Sequence, residues 1–143
     1  MSEERITPEE LRYLSILEEL TGALGIRCIM DEENNKLIFL VKDTDVGKAI
    51  GKGGKNVKLL RALLKKNIEI VAYADDIEGM VRNLFPSVKI LGVDIVKRGD
   101  SKTVVVKVAE EDKGRAIGRE GRNIKRARLV LQKLFGVNSV VIK

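Results

Sequence analysis

Histidine and tryptophan are absent from the 143 residues, and cysteine occurs once, at position 28. Without histidine there is no imidazole general base, no Ser-His or Cys-His pair and no His-containing zinc site. A single cysteine makes neither an internal disulfide nor a Cys-rich metal centre, which fits a reducing compartment, and Cys28 itself reads as a small buried strand residue. No apolar run approaches the ~18 residues of a bilayer span. The start, MSEERITPEE, is acidic rather than basic and then apolar, so it does not read as a leader. These absences together point to a cytoplasmic protein that does not enter a membrane.

Acidic residues are missing in one further place, and there the absence is informative. Residues 47 to 66 contain seven Lys or Arg and no acid, whereas residues 1 to 20 hold six Glu against Arg5 and Arg12. The net charge of +6 is therefore a patch and not an even surplus. A cationic patch attracts a polyanion, whether nucleic acid, an acidic protein or an anionic membrane surface. With 44% hydrophobic and 34% charged residues, the chain can bury a modest core beneath a heavily ionised surface.

The patch belongs to a repeat. GKAIGKGGKNVK, residues 47 to 58, returns as GRAIGREGRNIK at 114 to 125, an offset of 67 that nearly halves the chain. Two small domains, 1–75 and 76–143, are expected. In the first, Thr7 caps a helix that starts at Pro8, carries Glu9 and Glu10 near its positive end and stops at Gly25. Ile26 to Asp31 and Lys36 to Lys42 read as a hairpin around Glu32 to Asn35. Thr44 or Asp45 then caps a short helix, Gly51 interrupts it, a second helix runs from Lys55 to Lys66 and ends at Asn67, and Ile68 to Tyr73 is a strand. The second half repeats this order: a helix capped by Asp75 or Asp76, strands at Val88 to Lys97 and Thr103 to Val108, helices at Glu111 to Ile117 and Arg122 to Phe135, and a strand at Ser139 to Ile142. Each unit is thus α-β-β-α-α-β, an α+β fold.

Common nucleotide motifs do not fit the glycine turn. A Walker A loop ending at Gly54-Lys55 would need glycine at Ala49 and Ser or Thr at Asn56. A dinucleotide fingerprint starting at Gly51 would need glycine at Asn56, after a strand and not a helix. No cofactor is expected. What repeats is Ile-Gly-x-x-Gly: Ile50, Gly51, Lys52, Gly53 and Gly54, then Ile117, Gly118, Arg119, Glu120 and Gly121. Glycines allow close approach of a polyanion backbone, and the following helix offers free N–H groups and its positive dipole end. Lys55, Lys58 and Arg61 continue the cationic stripe in the first copy; Arg122, Lys125 and Arg128 do so in the second. Val57, Leu60 and Leu64 occupy the other face of the first helix, and Ile124, Ala127 and Leu131 that of the second. Only the second copy places an acid, Glu120, where a phosphate would approach.

Ile-Gly-x-x-Gly between two short helices, in the order α-β-β-α-α-β, resembles a type II KH domain present twice, and tandem copies over essentially the whole chain resemble the archaeal NusA-like transcription termination factors. The resemblance implies a small three-stranded sheet per domain with helices packed on one face. It implies binding of single-stranded RNA through two GXXG clamps, in transcription termination or antitermination, with RNA polymerase as a candidate partner. It also accounts for the five aromatics, since KH grooves hold bases against aliphatic side chains, for which the resemblance makes Val57 and Ile124 candidates, and do not use the aromatic strands of RRM sheets. A ribosome-associated or RNA-maturation KH protein is the alternative, because a clamp does not name its cargo. Asp43, Asp45, Asp75, Asp76, Asp94 and Asp100 sit where caps and turns need them and recur in no compact acidic motif, so neither metal nor enzymatic chemistry is expected.

Overall fold

Residues 5–143 are described by the structure, a computed structural model, in two units, Arg5–Ala74 and Asp75–Lys143. In the first, Thr7 Oγ1 accepts from Glu10 N–H (3.1 Å), and α1 runs Pro8–Thr21. The helix ends at Gly22, not at Gly25. Gly22 adopts φ +75° and its N–H returns to Glu18 O at 2.8 Å. Gly25 instead opens the first strand, and a Cβ there would sit 2.8 and 2.9 Å from Leu14 and Leu17. That glycine serves the packing of helix on sheet.

Strand β1 (Gly25–Asp31) pairs antiparallel with β2 (Lys36–Val41), and β2 pairs parallel with β3 (Asn67–Ala72). Parallel pairing needs a crossover, and the helices α2 (Val46–Ile50) and α3 (Lys55–Leu64) supply it. The sheet register aligns Cys28, Phe39 and Ile70, and this face meets Leu17 of α1, Ala49 of α2 and Leu60 of α3 in one core cluster. Full burial of side chains such as Phe39 and Leu60 is worth about 1.5–3 kcal/mol each. Helix α3 stops two residues before the expected Lys66, with Lys65 in the left-handed region (φ +57°), and Asn67 begins β3.

Glu10 does not act as a solvated acid at the start of α1. It is buried, accepts from Arg27 Nε (2.7 Å) and Nη2 (3.2 Å), and also accepts from Cys28 N–H at 2.9 Å. The buried Cys28 thiol lies beside this carboxylate, and burial, then Glu10 and Glu9, push its pKa far above the usual thiol range.

The second unit follows the same order. Asp76 caps α4 (Ile77–Leu84), accepting from Gly79 N–H at 3.3 Å. Strands β4 (Ile90–Arg98) and β5 (Ser101–Val108) form the hairpin, helices α5 (Lys113–Ile117) and α6 (Arg122–Phe135) follow, and β6 (Ser139–Ile142) pairs parallel with β5. Val104, Val106 and Val108 alternate as buried residues along β5, as a half-buried central strand requires. The first strand of each sheet carries a bulge at the same place, between Gly25 and Arg27 and between Ile90 and Gly92. Among the described residues no helix is long and apolar enough to cross a membrane.

Candidate nucleic-acid interface

Each glycine turn joins a five-residue helix to a longer one. In the first copy Gly51 leaves α2 at φ +78°, ψ 163°, Lys52 to Gly54 make a single tight turn, and Gly53 and Gly54 sit at φ +63° and +75°. In the second copy Gly118 leaves α5 at φ +78°, ψ 167°, with Glu120 at φ +57° and Gly121 at φ +72°. The two turns therefore share one backbone. A residue with a Cβ occupies, at Glu120, a conformation that its counterpart Gly53 adopts freely, at a cost of roughly 1 kcal/mol.

Within the first turn Gly54 N–H closes on Gly51 O at 3.0 Å and Lys55 N–H on Lys52 O. The amides of Lys52 and Gly53 have no acceptor among the described residues. The second turn closes in the same way, with Gly121 N–H on Gly118 O at 3.1 Å, and leaves the amides of Arg119 and Glu120 open. Behind each turn begins a helix of ten or fourteen residues with its positive end toward the turn.

The candidate cations are on the surface. Lys52, Lys55, Lys58 and Arg61 are exposed in the first copy, and Arg119, Arg122, Lys125 and Arg128 in the second; none is in an ion pair among the described residues. A hollow of about 400 Å³ lined by Lys52, Gly53, Lys55, Lys58 and Leu59 opens beside the first turn. On the opposite side of α3, Leu60 is buried and Val57 and Leu64 are half-buried; Ala127, Leu131 and the half-buried Ile124 do the same on α6. Val57 and Ile124 are thus only partly open to a ligand. Ile50 is half-buried, whereas its counterpart Ile117 is 39% exposed.

The copies differ in how the neighbouring charges are used. Lys48 is exposed and without an ion pair among the described residues, but Arg115 at the same repeat position reaches Asp112 (3.4 Å) and donates to Ser87 O (2.7 Å). Arg126, also in the second basic stretch, donates to Leu84 O at the end of α4. Glu120 is exposed and makes no hydrogen bond or ion pair among the described residues, so its charge stands unneutralised in the turn.

Two pairs of polar residues escaped the sequence reading. Asp45 is not a side-chain cap of α2; its Oδ2 accepts from Leu24 N–H (2.8 Å), and Asp112 likewise accepts from Lys89 N–H (2.8 Å), tying each first hairpin strand to the helix that precedes the turn. Asn56 and Asn123 donate through Nδ2 to Lys48 O (2.9 Å) and Arg115 O (2.8 Å). Their signal in the sequence was recurrence, two positions beyond the last glycine of each motif.

Comparison with known proteins gives a consistent picture. A family model described as the NusA-like second KH domain matches twice, over residues 16–76 and 77–139. A probable transcription termination protein NusA from Methanococcus vannielii is 33% identical over 138 residues, covering 96% of this chain and 79% of that protein. One from Halobacterium salinarum is 30% identical over 136 residues, covering 95% of this chain and 96% of the other. The crystal structure of APE1850 superposes with a TM-score of 0.94 at 58% identity, covering 96% of this chain and 100% of that one.

Proposed function

The chain belongs to the NusA-like KH family, two such domains in tandem, and on that premise we propose that it is an RNA-binding transcription factor that grips single-stranded nascent RNA through its two glycine turns. The observation that carries this reading is the duplicated turn itself: two open amides, a helix N-terminus and exposed cations without ion pairs, arranged alike in both copies. Phosphate oxygens are the groups that such an arrangement accommodates, through charge-assisted hydrogen bonds and the helix dipole. In this reading Gly51 to Gly54 and Gly118 to Gly121 approach the sugar-phosphate backbone. Lys55, Lys58, Arg61, Arg122, Lys125 and Arg128 extend the contact along the strand, and Ile50 and Ile117 support the turns from behind. Each half, 1–75 and 76–143, is one RNA-binding domain. The protein acts by binding and not by catalysis, in the cytoplasm, on elongating RNA polymerase in termination or antitermination. The names of the relatives favour transcription over ribosome-associated work.

The test is a pull-down with the full chain. Retention of RNA polymerase that is lost after nuclease treatment is the expected result. Retention of ribosomal subunits without polymerase would overturn the assignment to transcription while leaving RNA binding intact.

A further inference from the structure

We propose that Asn56 and Asn123 are positioning residues of the two turns, so that the working motif is Gly-x-x-Gly-x-Asn and not the four residues alone. In a continuing helix the N–H of residue 52 would donate to Lys48 O, four residues back. Gly51, at φ +78° and ψ 163°, turns the chain away, and Asn56 Nδ2 takes that acceptor at 2.9 Å. The carbonyl at the end of α2 is thereby satisfied and the Lys52 amide is released into the turn. The second copy repeats the exchange: Asn123 Nδ2 takes Arg115 O at 2.8 Å, and the Arg119 amide is released.

Steric fit reinforces the exchange. A Cβ on Gly51 would lie 2.9 Å from both Asn56 Cγ and Asn56 N, and one on Gly118 would lie 3.0 Å from Asn123 Cγ and N. The asparagine amide therefore packs against the bare α-carbon of the first glycine, and the two residues interlock across the turn. A carbonyl acceptor also decides which end of the amide faces it, since only the NH₂ end donates. Aspartate at the same position has the same shape and no donor.

This role rests on the RNA-clamp reading, and the experiment separates the two. Asn56→Ala and Asn56→Asp are made in the full chain and compared with the parent in three measurements. The first is affinity for a mixed-sequence single-stranded RNA 12-mer, the second its salt dependence, and the third amide hydrogen exchange of the free protein. Affinity should fall roughly three- to tenfold for Asn56→Ala, the scale of one hydrogen bond, and at least as far for Asn56→Asp. The slope of log K against log salt should stay at the parent value for Asn56→Ala, because an amide contact releases no counterion, whereas Lys52→Ala should lower it by about 0.7. Exchange should quicken in the turn and the end of α2 alone. Affinity within twofold of the parent, or exchange raised evenly across the whole unit, would show an ordinary structural cap and overturn the role. A parent chain that binds no RNA defeats the RNA-binding reading instead, and local exchange still reports whether the asparagine holds the turn.

Discussion

Reversing the charge of the first turn, by Lys52→Asp together with Gly53→Asp, isolates the clamp from the fold. Lys52 is exposed and has no ion pair among the described residues, and a Cβ at Gly53 would meet nothing within 4 Å. Gly53 sits at φ +63°, yet Glu120 occupies the equivalent place at φ +57°, so a side chain there costs about 1 kcal/mol of backbone strain and no clash. A Tm loss of only a few degrees is expected. Binding should suffer far more. The two changes shift the local charge by three units, each worth about 1 kcal/mol against a phosphate at 4 Å in water. Screening at physiological salt reduces this by about a third. The total is about 2 kcal/mol at physiological salt and about 3 kcal/mol at low salt, a loss of about 30- to 150-fold in affinity across that range. In the second turn Glu120 already opposes a phosphate, so Arg119→Asp shifts the charge by two units and should cost about 10- to 30-fold. Fluorescence anisotropy with a labelled single-stranded RNA, alongside thermal melts, measures both. Unchanged binding by the Lys52/Gly53 variant with an intact melt would refute the site. A loss for Arg119→Asp as large as for Lys52→Asp alone, the same two-unit change, would refute the expectation that the turn bearing Glu120 grips phosphate less than the first.

Two further outcomes follow from the same geometry. Glu120→Gly removes an unneutralised anion and a strained left-handed residue, so RNA affinity should rise about three- to fivefold. Its melt should move little, because relief of strain is offset by about 0.5–1 kcal/mol of added chain entropy; weaker binding would contradict the repulsive role. Arg27→Met leaves Glu10 buried without its cation and should destabilise the first unit by about 3–5 kcal/mol, read from urea unfolding; a loss below about 1 kcal/mol would mean that the carboxylate reaches solvent or takes up a proton cheaply.

Much of the architecture was legible because its signals are local. Thr7, Pro8 and Asp76 mark helix starts by the hydrogen bonds and dihedral angles that they favour, and both later helix bounds, Arg122 and Phe135, coincide with the sequence reading. The errors cluster where a local signal had two uses. Gly25 looked like a helix stop and is a packing contact against Leu14 and Leu17; Asn67 looked like a helix end, but Lys65 takes the left-handed position. Asp45 looked like a cap and is a tie to the amide of Leu24.

By itself the sequence determined the duplication, the order of elements and the pairing of glycines with cations, since periodicity, turn chemistry and charge runs act over a few residues. Beyond the local caps, tertiary structure alone decided which polar groups meet. Glu10 finds Arg27 and Cys28 only when α1 lies on β1, and Asn56 reaches Lys48 O only after Gly51 has turned the chain back. Such partnerships arise only once the folded backbone brings the groups together, and at the buried Glu10 the acceptor must be satisfied by whatever the fold places beside it.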